Sequence, residues 1–562
     1  MKVVIVGGVA GGATAAARLR RLDENAQIII IERSGYISYA NCGLPYYIGE
    51  EIKEKSALTL QTPQSFYNRF RIDARVKQEV IKINRDEKTV VIRRIDDGEE
   101  YTESYDKLIL SPGAKPVIPP LPGIDNEKIM TVRTVEDTFK VYDYIENNSP
   151  KKAVVAGGGF IGLETAENLL KRGIEVTLIE RSTHVMPPFD EDMAAIMHNC
   201  IKDNGIDLRV NTSVTGFNEN DGKIEVSIDN GESINADMVI MSVGVTPEST
   251  LAKRAGLETG IRGAIAVNTN MLTSDENIYA VGDAVEVNHY VSGKKTLIAL
   301  AGPANKQGRI AADNICGIKS EYKGSQGSSV LKLFNMTAAA TGMNNIAASD
   351  NGYDYDNVIL TSASHATYYP GATNMTVKVT FEKKTGKILG AQIVGYDGVD
   401  KRIDVLATAI RANMTAFDLT DLDLAYAPPY SSAKDPVNMA GYAIENILTG
   451  KVSQVHWSQV LNNSDGDVIL DTRTDMEYAM GNIPTAIHIP VDSLRERMGE
   501  IPKDKKIYVY CQSGLRSYIA CRILKQNGYE CYNVSGGYGF YSNVVKGSCL
   551  EAEGTGPCGL KR

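Results

Sequence analysis

Residues 2–12 read Lys-Val-Val-Ile-Val-Gly-Gly-Val-Ala-Gly-Gly, an apolar run that stops at a cluster of glycines. The run predicts a buried strand, residues 13–21 predict a helix, and a second apolar run ends at Glu32. In a dinucleotide-binding βαβ unit the glycines let the backbone approach a pyrophosphate, and an acid about 20 residues further on binds a ribose hydroxyl. Because Val9 replaces the central glycine, this copy alone leaves an ordinary βαβ turn open.

The same pattern recurs in full in the middle of the chain. Residues 153–156 predict a strand, residues 157–162 read Gly-Gly-Gly-Phe-Ile-Gly, and a second apolar run leads to Glu180. A later strand, near residue 280, is followed directly by Asp283. Two such units in one chain predict an α/β protein with two dinucleotide sites.

Length and composition narrow the class of protein. A chain of 562 residues exceeds a single hydrophobic core, so we expect several domains. Eight cysteines are too few for a disulfide scaffold and favour a reducing cytoplasm. The net charge of −9 gives no electrostatic reason to expect a nucleic-acid partner. The first residues lack the pattern of a signal peptide, and we expect neither a membrane span nor a metal site.

Through these motifs the chain, up to about residue 445, resembles the FAD-dependent pyridine nucleotide-disulfide reductases. The resemblance implies that FAD lies at the first glycine motif and NAD(P)H at the second. The implied FAD-binding residues are Gly7, Gly8, Gly11, Gly12, Glu32, Arg33, Asp283 and Ala301. The implied NAD(P)-binding residues are Gly157, Gly159, Phe160, Ile161, Gly162, Glu180 and Gly244. Glu180 favours NADH because a carboxylate repels a 2′-phosphate, and the neighbouring Arg181 leaves NADPH open.

Residues 36–45, Tyr-Ile-Ser-Tyr-Ala-Asn-Cys-Gly-Leu-Pro, correspond to the place where this family carries two redox-active cysteines, separated by four residues. Only Cys42 is present, because the residue four positions earlier is Ser38 and the residue before that is Ile37, so neither supplies a second sulfur. One thiol cannot store two electrons as an internal disulfide, so it must cycle through a mixed disulfide with a small thiol or through a sulfenic acid. A helix beginning near Pro45 is expected to favour the thiolate.

The single cysteine is similar to that of the coenzyme A-disulfide reductase branch, while the NADH oxidases and peroxidases, which also use one cysteine, remain the main competitor. The phosphates of coenzyme A need cations, and Arg18 and Arg21 fall on one side of the first helix together with Thr14. The implied coenzyme A-binding residues are Thr14, Arg18, Arg21, Ser38, Asn41, Arg71, Asn305 and Lys434. A solvated helix face is the alternative for the arginines.

This chain lacks the C-terminal His-Pro pair that two-cysteine reductases use as acid and base. Residues 365–371 and 425–435 instead resemble segments of the coenzyme A-disulfide reductase dimerisation domain, where two tyrosines from the partner subunit reach the active cysteine. The resemblance therefore implies a homodimer in which Tyr368 and Tyr426 protonate the departing thiolate, since a phenol is a ready proton donor at neutral pH. Core or interface aromatics remain the alternative.

A different pattern begins near residue 456. Residues 507–510 predict a strand that runs into the loop Cys511-Gln-Ser-Gly-Leu-Arg516 and then into a helix. Such a loop would surround the sulfur with backbone N–H groups at a positive helix end, which stabilises a thiolate or a persulfide. Residues 456–545 resemble a rhodanese domain, which implies that Cys511 and Arg516 are catalytic. A degenerate rhodanese fold without activity stays open.

The sequence thus predicts an α/β chain with two Rossmann-like domains, an α+β dimerisation domain and a C-terminal α/β rhodanese domain. The predicted boundaries are residues 1–112 with 246–324 for the FAD-binding domain, 113–245 for the NAD(P)H-binding domain, 325–446 for the dimerisation domain, 447–455 for a linker and 456–562 for the rhodanese domain with its tail. The tail, which carries Cys549 and Cys558, is expected to be solvated.

The expected function is reduction of coenzyme A disulfide, persulfide or polysulfide by NADH or NADPH through FAD. Fusion to a rhodanese sulfur carrier would raise the local concentration of one partner at the other. An NADH oxidase or peroxidase with an accessory rhodanese is the first alternative. A sulfur-trafficking or redox-sensing module, whose reductase half only binds nucleotide, is the second.

Overall fold

The computed structural model describes residues 1–462 and 466–548, so the predictions about Cys549 and Cys558 lie outside the described residues. The described chain forms two compact units. The first unit comprises residues 1–179 and 213–327, and the second comprises residues 180–212 and the described chain from residue 328 onward. Both units mix helices and strands, as the predicted fold class requires.

The first unit alternates short strands with helices along the chain. Its helices are α1 (Ala10–Leu22), α2 (Leu44–Ile48), α3 (Lys55–Leu58), α4 (Pro63–Phe70), α5 (Val135–Asn148), α6 (Phe160–Lys171), α8 (Thr250–Arg254) and α9 (Ala301–Ile315). Its strands are β1 (Lys2–Val6), β2 (Gln27–Ile31), β3 (Ile37–Tyr39), β4 (Thr59–Gln61), β5 (Asp73–Arg75), β6 (Gln78–Asn84), β7 (Thr89–Arg94), β8 (Glu100–Ser104), β9 (Lys107–Leu110), β10 (Ala114–Pro116), β11 (Ile129–Met130), β12 (Lys152–Ala156), β13 (Glu175–Ile179), β15 (Val214–Asn220), β16 (Lys223–Ile228), β17 (Ser233–Ala236), β18 (Met238–Met241), β19 (Val245–Pro247), β20 (Ile278–Ala280), β21 (Val287–Asn288) and β22 (Lys295–Thr296).

Two sets of parallel strands carry the glycine turns of this unit. The first is a sheet with strand order β20-β9-β1-β2-β5, and the second runs β11-β18-β12-β13. Residues 3–5 and 28–31, the apolar runs of the sequence, are at most 1 % exposed and form the centre of the first core. Because each glycine turn follows a parallel strand, both turns lie at carboxyl edges, where α/β folds bind ligands. The segments β6-β7-β8 and β15-β16-β17 are antiparallel sheets.

The second unit contains the remaining elements. Its helices are α7 (Glu191–Asp203), α10 (Asn345–Asp350), α11 (Val399–Arg411), α12 (Ala416–Thr420), α13 (Pro436–Leu448), α14 (Trp457–Leu461), α15 (Asp475–Ala479), α16 (Leu494–Arg497), α17 (Leu515–Gln526) and α18 (Gly537–Gly547). Its strands are β14 (Asp207–Arg209), β23 (Ser329–Leu333), β24 (Met336–Gly342), β25 (Tyr355–Ala363), β26 (Asn374–Glu382), β27 (Ile388–Gly395), β28 (Gln454–Val455), β29 (Val468–Asp471), β30 (Ile487–His488), β31 (Ile507–Tyr510) and β32 (Cys531–Val534).

Two sheets organise this second unit. An antiparallel sheet of order β23-β24-β27-β26-β25 has the fully buried strand β27 at its centre, and α11 packs against β24 and β27. A parallel sheet of order β28-β32-β31-β29-β30 follows in the chain. Its central strand β31 ends at Tyr510, so Cys511 lies at the carboxyl edge, at the start of the loop that leads to α17.

Candidate active site

The first glycine turn joins β1 to α1 and has the backbone geometry of a dinucleotide cradle. Gly7 has φ = +94°, a left-handed conformation that glycine adopts without strain. A Cβ atom on Gly12 would lie 2.0 Å from the carbonyl oxygen of Gly7, so only glycine lets α1 begin so close to the turn. Glu32 accepts a hydrogen bond from the N–H group of Gly8 at 2.8 Å. This geometry fits a pyrophosphate at the N-terminus of α1.

The other predicted FAD residues lie on neighbouring elements of the same unit. Gly11 faces α9, because its Cβ would lie 3.4 Å from the carbonyl oxygen of Ala304, and Ala301 is the first residue of that helix. Asp283 follows β20, and desolvation raises the pKa of its carboxyl. Arg33 is exposed and forms an ion pair with Glu79 at 3.7 Å. A contact between Arg33 and FAD therefore stays a prediction.

The second glycine turn has the same backbone geometry as the first. Gly157 has φ = +111°, and a Cβ atom on Gly162 would lie 1.8 Å from the carbonyl oxygen of Gly157. Phe160 and Ile161 are the first two residues of α6. The remaining predicted NAD(P) residues are Gly159, which precedes α6, Gly244, with φ = +113°, and Glu180, which accepts a hydrogen bond from the Ser182 N–H at 2.7 Å. This turn also fits a pyrophosphate.

Cys42 lies in a single 3₁₀ turn, Asn41–Gly43, directly before α2. The residue is exposed, as a thiol that meets a small-molecule disulfide must be. Desolvation raises the pKa of its thiol, and the negative charges of Glu164 and Asp283 raise it further. The expected stabilisation of a thiolate by the following helix is therefore not seen in the chain alone, because α2 has only five residues and carboxylates lie close by.

Three residues near Cys42 were missed by the sequence analysis. Arg133 donates a hydrogen bond from Nη1 to Asn41 Oδ1 at 3.2 Å. The Tyr46 hydroxyl donates a hydrogen bond to Glu164 Oε1 at 3.2 Å. Desolvation raises the pKa of Glu164 to about 7. Glu164 lies two residues beyond the second glycine turn, which is a signal that could have found it. Nothing in the sequence around Arg133 points to this contact.

Most predicted coenzyme A residues belong to the first unit. The Thr14 hydroxyl donates to Asn305 Oδ1, so the structure brings these two predicted residues together. Only part of the Arg18 guanidinium is available to bind a phosphate, since its Nε donates to Asp313 Oδ1 at 2.7 Å. Of the others, Arg21 and Asn41 are exposed, Ser38 has the unusual φ of +50°, and Arg71 lies 5.2 Å above the ring of Tyr67.

The two predicted acid tyrosines meet in the second unit. The hydroxyl oxygens of Tyr368 and Tyr426 lie 2.6 Å apart, although the first residue follows β25 and the second precedes α13. Their side chains are 74 % and 46 % exposed, so a substrate can reach both hydroxyls. The hydrogen bond with Tyr368 raises the pKa of Tyr426. Lys434, the predicted coenzyme A residue of this unit, is exposed, and a cavity of about 490 Å³ opens beside Tyr426.

The loop after β31 surrounds a second cysteine. Cys511 is fully buried, and its Sγ accepts hydrogen bonds from the Gly514 N–H at 3.1 Å and the Ser517 hydroxyl at 3.4 Å. The carbonyls of Cys511 and Gln512 are held from the other side by the N–H groups of α18, at 2.7 and 2.9 Å. One backbone N–H group thus donates to the sulfur as the sequence predicts, and the second donor, the Ser517 hydroxyl, was not predicted.

Arg516 is held at this loop by a carboxylate. Its Nη1 and Nη2 donate to the two oxygens of Glu477, each at 2.7 Å, and this pairing lowers the pKa of Glu477 to about 2. The nearby Cys511 also contributes to a raised pKa of Arg516, after the larger effect of Glu477. Glu477 lies in the stretch Asp471-Thr-Arg473-Thr-Asp-Met-Glu477, in which Asp471 and Arg473 form a buried ion pair at 2.7 Å.

Within residues 1–462 and 466–548 there is no group of three or more His, Cys, Asp or Glu side chains that could hold a metal ion. In the same residues no helix combines the length and the apolar character needed to cross a membrane.

Three family descriptions match this chain. Residues 1–308 match the pyridine nucleotide-disulphide oxidoreductases, residues 329–436 match the dimerisation domain of that family, and residues 456–543 match the rhodanese-like domain. A coenzyme A disulfide reductase from Staphylococcus epidermidis is 38 % identical over 442 residues, which are 78 % of this chain and 99 % of that protein.

Two solved structures cover almost the whole chain. Reduced CoADR-RHD from Bacillus anthracis superposes with a TM-score of 0.95 at 50 % identity, covering 97 % of this chain and 98 % of that one. An NAD-dependent persulfide reductase from A. fulgidus superposes with a TM-score of 0.91 at 40 % identity, covering 96 % of this chain and 100 % of that one.

Proposed function

The chain belongs to the pyridine nucleotide-disulphide oxidoreductase family, and from this premise we propose that it is an FAD-dependent NAD(P)H reductase of coenzyme A disulfide and persulfide. A C-terminal rhodanese-like domain accompanies the reductase. FAD and NAD(P)H are its cofactors, and the enzyme acts on sulfur groups. The two glycine turns, each with a left-handed first glycine, fit one dinucleotide apiece.

The observation that carries the choice of substrate is that, among the six cysteines in the described part of the chain, Cys42 is the exposed one. Ser38 supplies no sulfur at the earlier position, and Cys316, the other cysteine of the first unit, ends α9. Cys42 therefore needs a second sulfur from a small molecule to form a disulfide. The coenzyme A disulfide reductase that is 38 % identical to this chain supports coenzyme A as that molecule.

The proposed reaction passes through a mixed disulfide between Cys42 and coenzyme A and consumes one NADH for each disulfide. Bound FAD supplies the transfer of two electrons from NADH to sulfur. The Cys42 thiolate attacks the substrate disulfide, one coenzyme A thiolate leaves, and a mixed disulfide between Cys42 and coenzyme A forms. Two electrons and one proton then release the second coenzyme A and restore the Cys42 thiolate. The overall reaction is NADH + H⁺ + CoA–S–S–CoA → NAD⁺ + 2 CoA–SH. With coenzyme A persulfide as the substrate, the same two electrons give CoA–SH and H₂S.

The proton for the departing thiolate comes, in this proposal, from the tyrosine pair. Tyr368 and Tyr426 of the partner subunit would face Cys42, as the dimerisation-domain match supports. The raised pKa of Tyr426 keeps its proton bound at neutral pH, so the hydroxyl is a donor when a sulfur anion arrives. Each hydroxyl can stabilise the other when one proton has left, because the two oxygens are 2.6 Å apart.

The rhodanese-like domain is proposed to carry sulfane sulfur on Cys511. The N–H group of Gly514 and the hydroxyl of Ser517 would stabilise a persulfide there, and Arg516 adds positive charge. Among the described residues no disulfide joins any of the six cysteines, which supports a reducing cytoplasm as the location. The domain boundaries given above stay predictions.

The test is anaerobic NADH oxidation with four acceptors side by side: coenzyme A disulfide, coenzyme A persulfide, polysulfide and hydrogen peroxide. We expect the sulfur acceptors to support turnover at least about 10-fold faster than peroxide, because the exposed Cys42 thiol can form a mixed disulfide with them. Fast turnover with peroxide alone would identify a peroxidase instead, and fast NADH oxidation in a parallel aerobic assay without an added acceptor would identify an oxidase. Slow turnover with all four acceptors would favour a sulfur-trafficking or sensing module.

A further inference from the structure

Arg402 is a buried arginine that contacts both loops of the tyrosine pair. It lies on α11 and is 1 % exposed, which is rare for an arginine unless its charge has a specific partner. Its Nη2 donates to the carbonyl oxygen of Ser364 at 2.9 Å. That carbonyl lies four residues before Tyr368, at the start of the loop between β25 and β26.

The same guanidinium holds the loop that carries Tyr426. Its Nε donates to Asp435 Oδ2 at 3.1 Å, and its Nη2 donates to Ser431 Oγ at 3.0 Å. Ser431 donates in turn to Asp435 Oδ2 at 2.7 Å. Asp435 uses its other oxygen to accept from the Val437 N–H at 3.0 Å, which caps α13. The residues Arg402, Ser431 and Asp435, each at most 2 % exposed, form one closed cluster.

The two loops also meet through their backbones. The N–H group of Ala366 donates to the carbonyl oxygen of Ser431 at 3.0 Å. Tyr368 and Tyr426 are themselves largely exposed, so packing around their rings does little to fix them. The distance between the two hydroxyls is therefore set by the loops and by the cluster that ties the loops together.

We propose that Arg402, acting with Ser431 and Asp435, is the positioning residue of the Tyr368 and Tyr426 pair. The inference rests on the proposed function, because it takes the two tyrosines as the proton donors. Only one hydroxyl can donate to the other, which leaves the second O–H free for the departing sulfur. A hydrogen bond weakens steeply with distance and angle, so a loop shift of about 1 Å uncouples the pair.

Two substitutions in the full-length, FAD-loaded enzyme test this. Ser431→Ala removes the hydroxyl between Arg402 and Asp435 but keeps the ion pair. Arg402→Lys keeps the charge but loses the planar fork that reaches both loops. The matched control is Thr380→Val, because Thr380 is a buried hydroxyl on β26 with no hydrogen-bond partner among the residues that the structure describes.

The measurements separate electron delivery from sulfur chemistry. We expect flavin reduction by NADH to stay within about twofold of the parent in all three variants, because hydride transfer precedes the thiol step. With coenzyme A disulfide, kcat should fall about 10-fold in Arg402→Lys and about 3-fold in Ser431→Ala, with KM nearly unchanged, as expected when a proton donor is misplaced. The basic limb of the pH profile should move, and Thr380→Val should match the parent.

A double-mutant cycle distinguishes positioning from general loss of structure. In a Tyr368→Phe, Tyr426→Phe background, Arg402→Lys and Ser431→Ala should cause no further loss of kcat, since the groups they position are gone. A further loss of the same size in that background would overturn the inference, and so would an unchanged kcat in both single variants. If Arg402→Lys does not bind FAD, Ser431→Ala decides alone.

Failure of the proposed function gives a different result. In that case the parent enzyme itself does not oxidise NADH with coenzyme A disulfide, and the positioning inference falls with it. If the parent is active and the two variants behave like Thr380→Val, the proposed function stands and only the role of Arg402 is refuted.

Discussion

The ring of His198 joins α7 to α18, because its Nδ1–H donates to the carbonyl oxygen of Gly547 at 3.0 Å. The other ring nitrogen accepts from the Val185 backbone N–H at 3.2 Å, which fixes a neutral imidazole with its proton on Nδ1. A Cβ atom on Gly547 would lie 1.9 Å from the carbonyl oxygen of Ala195, so the helices touch where only glycine fits. The rhodanese-like domain is thus docked on residues 180–212 of its own compact unit.

The first prediction is that acid loosens this docking. Desolvation lowers the pKa of His198 to about 4, below its ordinary value of 6.5. The unfolded state therefore binds the proton first as pH falls, and stability is lost between about pH 6.5 and pH 4, by up to about 3 kcal/mol. Trp457, the single tryptophan of the chain, donates its Nε1–H to the carbonyl of Gly537 in α18 and reports the loss by fluorescence during urea unfolding.

The control for that experiment is His198→Gln, which has no group that titrates in this range. We expect the unfolding midpoint of the parent to drop more than that of the variant between pH 7 and pH 5. The Glu477 carboxyl does not interfere, since its folded pKa of about 2 places its loss of stability below its ordinary value of 4.5. Equal pH dependence in parent and variant would contradict the assignment.

The sequence predicted the glycine turns because their function demands backbone geometry that only glycine supplies. Gly7 and Gly157 both have the left-handed φ that the pattern implies, and Cys511 lies in the expected loop after a strand. The fold class and the family were confirmed for the same reason. Local motifs are read directly from the chain because their residues are neighbours in sequence.

Contacts between residues that are far apart in the chain could not be predicted from the sequence. Arg133 and Asn41 are 92 residues apart, and Arg402 reaches Ser364 across 38 residues, so no local pattern announces either contact. The pKa of Cys42 was expected to fall on the evidence of a helix that begins beside it. Tertiary structure instead raises this pKa, first by desolvating the thiol and then by placing the carboxylate of Glu164 near it.

The second prediction concerns the charge of Glu164. Its pKa of about 7 means that it is largely neutral below pH 6 and ionised above pH 8, where its charge raises the pKa of Cys42. In Glu164→Gln, iodoacetamide should alkylate the NADH-reduced Cys42 roughly 2- to 5-fold faster at pH 8 and at an unchanged rate at pH 6. Peptide mass spectrometry separates Cys42 from Cys511. Glu51→Gln is the control, and slower alkylation in Glu164→Gln would contradict the prediction.

The third prediction is that Cys42→Ser separates the two half-reactions. Flavin reduction by NADH should proceed at nearly the parent rate, while turnover with coenzyme A disulfide should fall by at least about 1000-fold, because the nucleophile is lost. Stopped-flow absorbance measures the first step and steady-state NADH oxidation measures the second. Substantial remaining turnover with coenzyme A disulfide would contradict a mechanism in which Cys42 is the redox cysteine.

The same variant tests whether the active site is shared between subunits. Cys42→Ser chains, which lack the nucleophile, are mixed with Tyr368→Phe, Tyr426→Phe chains, whose weak residual turnover is measured beforehand, and the subunits are allowed to exchange. If each Cys42 works with the tyrosines of the partner subunit, a heterodimer regains one good site, and about a quarter of the parent activity returns at random mixing. No recovery after mass spectrometry has verified exchange would place cysteine and tyrosines in one chain.

The fourth prediction is a preference for NADH over NADPH of at least about 10-fold in kcat/KM, since the Glu180 carboxylate repels a 2′-phosphate. Glu180→Gln should lower that preference several-fold, mainly through KM for NADPH. The adjacent Arg181 provides the matched variant: Arg181→Ala should weaken NADPH use and leave NADH use unchanged. A parent enzyme that prefers NADPH would refute this part of the cofactor assignment.

The last prediction divides the labour between Cys42 and Cys511. The Gly514 N–H and the Ser517 hydroxyl suit the Cys511 sulfur for a persulfide, whereas Cys42 is the exposed thiol of the reductase half. Cys511→Ala should therefore lose sulfur transfer to cyanide and fall at least about 10-fold in polysulfide-dependent NADH oxidation, yet reduce preformed coenzyme A disulfide at nearly the parent rate. Ser517→Ala, which removes one donor to the sulfur, should show a smaller loss in the same two assays. A Cys511→Ala enzyme that reduces polysulfide as fast as the parent would mean that the flavin half works alone and that the fusion has another purpose.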